Sequence, residues 1–127
     1  VPWPGDTYKI IEESTGASLA VHYASLRLLD FGNAWEPNLS WLCVETNGYF
    51  GFFHPRSNLY LSAHGTGINL SKTFGPDQYF IPRKHPKGGY QLLSPEGPNT
   101  LKQLAVLLPN QTQIVRRQHA GTIWRFV

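Results

Sequence analysis

The chain has 127 residues and a formal net charge of +3; 15% of its residues are charged and 41% are hydrophobic. This length predicts one domain with one core, and an aromatic content of 13% favours a packed structure over disorder. The charge excess is too small for the dense basic stripe of a nucleic-acid-binding protein, and no apolar run approaches the roughly 20 residues of a membrane helix. We therefore expect neither a nucleic-acid partner nor membrane insertion.

The first third of the chain predicts a short arm followed by four strands. Residues 1–7 form the predicted arm, and the first strand begins at Tyr8. Ser, Thr and Gly at 14–16 predict a tight turn after it, because these residues suit turn backbones. Apolar residues alternate in many of the segments, as half-buried strands require. The four predicted strands cover residues 8–11, 18–21, 25–28 and 41–44.

The same succession of strands and turns recurs twice, beginning at Tyr49 and Tyr90, each 41 residues after the previous tyrosine. Turn-forming residues again follow the first strand of each unit, at 55–58 and 95–98. The second unit has predicted strands at 49–53, 59–63, 67–70 and 79–81, and the third has them at 90–93, 104–107, 113–115 and 124–127. The predicted repeats are therefore 8–48, 49–89 and 90–127.

Three such units predict an all-β fold of twelve short strands. One unit of this length is too small to bury its apolar face alone, so the three units must pack together. A large aromatic residue closes each repeat, and no window shows helical periodicity. On this period and these aromatics the sequence resembles the β-trefoil superfamily over residues 8–127. The resemblance implies a threefold barrel capped by hairpins. The expected buried positions are Trp41, Phe80 and Trp124 in the last strands and Leu19, Leu61 and Leu104 in the second strands.

The end of the second repeat resembles the Gln-x-Trp signature of ricin-B-type lectins. Gln78-Tyr79-Phe80 keeps a Gln-x-aromatic form, whereas Leu39-Ser40-Trp41 and Thr122-Ile123-Trp124 keep only the aromatic. With Asp77 before it, this segment looks like the galactose-binding β-trefoil lectins of fungal fruiting bodies. That resemblance implies a non-catalytic carbohydrate-binding protein for galactose or N-acetylgalactosamine, with up to one shallow site per repeat and no cofactor.

Other β-trefoil families remain as alternatives. Gly75-Pro76-Asp77 and Gly88-Gly89-Tyr90 are similar to short repeats of fascin-type actin crosslinkers, which use four trefoils in tandem. Arg116-Arg117 is a sparse version of the basic segment with which growth-factor trefoils bind heparin. A trefoil protease inhibitor is a further alternative.

Catalysis has little support in the sequence. None of the five histidines has the i, i+4 partner that a metal site on a helix would use. Glu12 and Glu13 are adjacent and so point to opposite sides of a strand, which does not suit a shared acid–base site. We expect no catalytic residue and no metal site.

The candidate binding residues follow from aligning the repeats. His22 and His64 both lie just beyond a predicted second strand, where the third repeat has Leu107, and neutral imidazole both donates and accepts hydrogen bonds to sugar hydroxyls. Trp35 and Phe74 each lie six residues before a closing aromatic; each either stacks on a sugar or caps the barrel. The predicted site residues are His22, Arg27, Asp30 and Trp35 in repeat one; His64, Asn69, Lys72, Phe74 and Asp77 in repeat two; and Asn110 and Gln118 in a weaker repeat three.

Cys43 is the only cysteine, which excludes an intramolecular disulfide and a cysteine-rich zinc site. Its apolar neighbours predict a buried position in a strand. No N-terminal segment resembles a signal peptide, so we expect a cytoplasmic protein or one released without such a signal. A homodimer would supply two sites for agglutination.

Overall fold

The computed structural model describes residues 2–30, 32, 35–107, 113–118 and 121–127. Within these ranges the chain forms thirteen β-strands and two short 3-10 turns, Glu36–Leu39 and Pro76–Gln78. No helix in the described part of the chain is long and apolar enough to cross a membrane. The strands are β1 (Thr7–Tyr8), β2 (Ile10–Glu12), β3 (Ser18–His22), β4 (Ser25–Leu29), β5 (Trp41–Thr46), β6 (Tyr49–His54), β7 (Leu59–His64), β8 (Gly67–Ser71), β9 (Ile81–Lys84), β10 (Tyr90–Glu96), β11 (Thr100–Leu107), β12 (Gln113–Arg117) and β13 (Trp124–Phe126).

The first and last strands of the three repeats close a barrel. Within each repeat one residue of the first strand pairs with the closing aromatic: Tyr8 with Trp41, Phe50 with Phe80, and Tyr90 with Trp124. Successive repeats are joined by the pairs β5–β6, β9–β10 and β13–β2. Among the described residues these pairings form a closed ring of strands, and the predicted all-β trefoil is confirmed.

Twelve strands were predicted, and thirteen are present in the described residues. The first strand of repeat one is divided at Lys9, because β1 pairs with β5 whereas β2 pairs with β13. Lys9 itself exchanges two backbone hydrogen bonds with Val127. The predicted arm is tied to the barrel as well, because Gly5 and Asp6 both form backbone hydrogen bonds with Cys43.

Three hairpins, β3–β4, β7–β8 and β11–β12, cap one end of the barrel. Their registers are equivalent, since Leu19 pairs with Leu28, Leu61 with Leu70, and Leu104 with Arg116. The hairpins meet where Val115 pairs with Gly67. Leu19, Leu61 and Leu104 are fully buried, as expected.

The core repeats the same positions three times. Ile10, Phe52 and Leu92, each two residues after a paired first-strand residue, are fully buried. The closing aromatics Trp41, Phe80 and Trp124 are fully buried too, which confirms that prediction. The indole nitrogens of Trp41 and Trp124 donate to the main-chain oxygens of Leu19 and Leu104, so the two tryptophans also tie the barrel to the caps.

Cys43 lies in this core and has no exposed surface. Burial raises the pKa of its thiol to about 11, and the charge of Asp6 raises that pKa further. The thiol is therefore protonated at neutral pH. The predicted buried position of Cys43 in a strand is confirmed.

Candidate functional site

In the described part of the chain, a surface cleft lies at each of the three seams between successive repeats. At each seam the segment before a closing aromatic faces the turn that follows the first strand of the next repeat. The 1–2 cleft has a volume of about 670 Å³ and is lined by Glu36, Pro37, Ser40, Pro55 and Arg56. The 2–3 cleft has a volume of about 610 Å³ and is lined by Tyr49, His64, Gly65, Pro76, Asp77, Tyr79, Pro95, Glu96, Gly97 and Arg116. The 3–1 cleft, about 320 Å³, is lined by Glu12, Glu13, Ser14, Val106, Gly121, Thr122 and Ile123.

The clefts are equivalent in position but differ in chemistry. The barrel pairing aligns Arg56, Glu96 and Ser14, each six residues after the paired residue of its first strand. The same place in three clefts therefore carries a cation, an anion and a neutral hydroxyl.

The 2–3 cleft brings together two of the predicted site residues, His64 and Asp77. His64 Nδ1 lies 3.2 Å from Asp77 Oδ2, and both side chains are largely exposed. His64 ends β7, and Asp77 lies in the 3-10 turn Pro76–Gln78. A short carboxylate and an imidazole at the mouth of a cleft offer adjacent acceptors and a donor to a ligand hydroxyl pair.

Gln78 holds this turn against β7. Its side chain is buried, its Nε2 donates to Ser62 Oγ at 2.8 Å, and its Oε1 accepts from the backbone N–H of Gly75 at 2.6 Å. The Gln of the predicted signature thus holds the turn in which Asp77 lies beside His64.

Two tyrosines form an aromatic wall of the same cleft. Tyr49 and Tyr79 stack with ring centroids 4.9 Å apart and planes 8° from parallel. Each tyrosine directly precedes a barrel residue, Phe50 or Phe80, and alternation along a strand turns it outward. The sequence period had aligned Tyr49 with Tyr8, but the barrel pairing aligns Phe50 with Tyr8. The alignment based on tyrosines therefore missed the outward role of Tyr49.

Arg116 forms the floor of the 2–3 cleft and occupies the position that Leu28 and Leu70 have in the other repeats. It is buried, with Nε donating to the Gly65 carbonyl oxygen at 2.5 Å and Nη1 donating to Ser94 Oγ at 2.9 Å. Nη2 lies 3.0 Å from Glu96 Oε2. An arginine aligned with two leucines was the available signal for this residue.

Glu96 is ionised in this arrangement. A hydrogen bond from Lys102 lowers its pKa most, and the charge of Arg116 lowers it further, whereas loss of hydration acts in the opposite direction. Lys102 Nζ lies 2.9 Å from the carboxylate. The 2–3 cleft consequently contains a carboxylate bound by two cations.

The other predicted residues of repeat two lie apart from this cleft. Asn69 is exposed on β8, opposite Ser62, and Lys72 is exposed just after that strand; neither is among the described residues that line the 2–3 cleft. Phe74 stacks on Tyr60 at 5.2 Å and lies edge-on to Tyr79 at 5.5 Å, so it supports the aromatic wall.

The predicted residues of repeat one are not gathered into one cleft. His22 is half-buried against Tyr23, with ring centroids 4.3 Å apart, and Arg27 lines a small groove along β4. Asp30 is exposed and accepts a hydrogen bond from the backbone N–H of Gly32. Trp35 is 58% exposed and stands beside the 1–2 cleft under the guanidinium of Arg56.

In repeat three, Gln118 is exposed, and Asn110 lies outside the described residues. No group of three His, Cys, Asp or Glu side chains in the described part of the chain is placed to hold a metal ion.

No protein-family model and no curated protein sequence matches the chain. Solved structures do match it. One is described as SeviL bound to asialo-GM1 saccharide, with a TM-score of 0.78 and 16% identity over 95% of each chain. Another is the Polyporus squamosus lectin bound to the epitope Neu5Acα2-6Galβ1-4GlcNAc, with a TM-score of 0.81 and 15% identity over 98% of this chain and 49% of that one.

The fold also matches part of a GlcNAcα1-4Gal-releasing endo-β-galactosidase from Clostridium perfringens, with a TM-score of 0.82 and 14% identity. The match covers 95% of this chain and 32% of the enzyme. At these identities the similarity shows a common fold, the β-trefoil.

Proposed function

We propose that this chain is a non-catalytic carbohydrate-binding protein and that the 2–3 cleft binds a galactose- or N-acetylgalactosamine-type sugar. The observation that carries the proposal is the pairing of His64 with Asp77 beside the stacked Tyr49 and Tyr79. Two of the matched structures hold saccharides, which supports the ligand class. The choice of galactose depends on the resemblance of the Asp77–Phe80 segment to fungal lectins.

The chemistry of the cleft suits a pyranose. The Asp77 carboxylate accepts hydrogen bonds from neighbouring hydroxyls, while the His64 ring donates or accepts according to its tautomer. The tyrosine wall offers an apolar face to sugar C–H groups, and each phenol also carries a polar hydroxyl. A monosaccharide makes few desolvated contacts in an open cleft, so we expect a dissociation constant in the millimolar range.

The electrostatics of Glu96 favour binding over hydrolysis in this cleft. Cleavage of a glycosidic bond requires one carboxyl that is protonated and donates to the leaving group. Glu96 has the opposite tendency, because Lys102 and Arg116 lower its pKa.

The experiment that tests the proposal is a glycan array probed with the wild-type chain, His64→Ala, and Asn69→Ala as a matched control. Each protein is presented as a multivalent streptavidin complex, because a monovalent millimolar site would be lost on washing. Asn69 is also an exposed predicted residue of repeat two, but it lies outside the 2–3 cleft. Galactose-terminated glycans should retain the wild type and Asn69→Ala and lose His64→Ala. A blank array for the wild type would overturn the proposal.

The alternatives predict different results in two inexpensive assays. A cytoskeletal module would cosediment with actin and ignore free galactose, and a protease inhibitor would block a serine or cysteine protease at stoichiometric concentration. We expect neither result.

A further inference from the structure

The 1–2 cleft contains a cation whose partner is an aromatic ring. The Arg56 guanidinium carbon lies 4.9 Å from the centroid of the Trp35 ring. No Asp or Glu of the described residues lies within ion-pair distance of Arg56. Glu36, the acidic residue of this cleft, is bound by Lys9 Nζ at 2.6 Å. The anion of the cleft is thus neutralised within the protein, whereas the Arg56 cation is not.

The charge of this cleft is reversed relative to its neighbour. Arg56 aligns with Glu96 of the 2–3 cleft, which is bound by Lys102 and Arg116. A ligand anion would meet a carboxylate at that position in the 2–3 cleft and a guanidinium in the 1–2 cleft. The two clefts therefore favour ligands of different charge.

Trp35 is exposed for a definite steric reason. The equivalent Phe74 packs over Gly51, where an added Cβ would lie 2.3 Å from Phe74 Cε1. In repeat one the position of Gly51 is occupied by Lys9. The Lys9 side chain occupies the space in which an aromatic ring would pack as Phe74 does. The Trp35 ring therefore lies outside the barrel, where it contacts the Arg56 guanidinium.

We propose that the 1–2 cleft is a second saccharide site, specific for a sugar that carries an anionic group, either a carboxylate or a sulfate. The guanidinium of Arg56 would bind the anion through a pair of parallel N–H donors, and Trp35 would stack on the apolar face of the same or the adjoining ring. The inference depends on the proposed function in that the ligand is a saccharide. It adds that two clefts of one chain recognise sugars of different charge.

The test is titration of the 15N-labelled chain with lactose, 3'-sialyllactose and lactose 3'-sulfate, followed through the indole N–H signals. The chain has four tryptophans, and the Trp35 signal is assigned by its loss in Trp35→Phe. Both anionic sugars contain the lactose core, so comparing each of them with lactose tests the effect of the added anionic group. We expect each of them to shift the Trp35 signal, with lactose leaving it in place.

Arg56→Gln should weaken this response about tenfold for both anionic sugars, because a charged hydrogen-bond partner is lost. Arg117→Gln removes an equal charge from an exposed arginine on β12 and should leave the response unchanged. If only one anionic sugar binds, the anionic site stands and that anion is its ligand. An equal shift with lactose, an unchanged affinity in Arg56→Gln, or no shift with either anionic sugar would overturn the inference.

The ring signals of His64 separate this inference from the proposed function. Lactose shifts at His64 with no anionic shift at Trp35 would leave the galactose site standing and remove the anionic site. Shifts of the Trp35 signal with the anionic sugars, without a lactose response at His64, would leave the anionic site standing and remove the galactose site.

Discussion

Gln78 donates a 2.8 Å hydrogen bond to Ser62 Oγ, and this bond fixes the turn that carries Asp77 against the strand that carries His64. Repeat one has Leu39 and Ala20 at the equivalent positions, so this polar pair belongs to repeat two. The bond therefore links the stability of the second repeat to the geometry of the 2–3 cleft.

Replacing Gln78 by Leu should lower the free energy of unfolding by about 1–3 kcal/mol, because Ser62 Oγ is left buried without this donor. The double variant Gln78→Leu with Ser62→Ala copies repeat one and should recover most of that loss. Urea denaturation measures both. Galactose binding should be weakened in both variants, and unchanged binding in either would show that the bond does not position Asp77.

Gly51→Ala should force Phe74 off the barrel, because the new Cβ would overlap the Phe74 ring. Overpacking of this kind costs about 1–3 kcal/mol of stability. Combining it with Phe74→Ala should relieve the overlap, so the two changes should be far from additive in urea denaturation. Strictly additive losses would contradict the steric account, including the account of why Trp35 lies outside.

Stability should fall as the pH is lowered from about 6.5 towards 5, because His54 is fully buried. Burial lowers its pKa, and a hydrogen bond to the Asn38 carbonyl opposes this only in part. Nε2 donates to that carbonyl at 2.9 Å, so in the neutral ring Nδ1 accepts from Ser57 Oγ at 2.8 Å and from the Ser57 backbone N–H at 3.3 Å. A proton on Nδ1 would face that backbone N–H, which cannot accept it. The unfolded chain binds the proton more readily below pH 6.5, so acid favours unfolding.

The measurement is the free energy of unfolding between pH 8 and pH 5 for the wild type and for His54→Gln. The slope in this window should be smaller in the variant. His85→Gln, a change on the turn after β9, should retain the wild-type slope.

Trp124→Ala should destabilise the chain by about 3–5 kcal/mol, since the indole is fully buried and also bonds the Leu104 carbonyl. Trp3→Ala is the control, because that side chain is 65% exposed and its loss should change stability by less than about 0.5 kcal/mol. Equal effects of the two changes would contradict the placement of Trp124 at the barrel closure.

The sequence by itself determined the architecture, because in a threefold fold the core positions recur three times along the chain at a nearly constant interval. Leu19, Leu61 and Leu104, with the aromatics that close each repeat, were predictable from the repeat spacing together with the β-trefoil resemblance. The alignment of the first strands of the repeats was less well determined by the sequence. Side chains alternate between two faces of a strand, so the one-residue difference between Tyr49 and Phe50 separates a cleft residue from a barrel residue.

Only the tertiary structure decided where the clefts lie and how they differ. Comparing repeats identified His64, and the resemblance of residues 77–80 to fungal lectins identified Asp77; both residues belong to one repeat. Arg116 and Glu96 reach the same cleft from the next repeat, so no comparison of equivalent positions could associate them. Aligned repeats reveal what the repeats share, whereas each cleft forms where two different repeats meet, and its chemistry depends on the residues that they do not share.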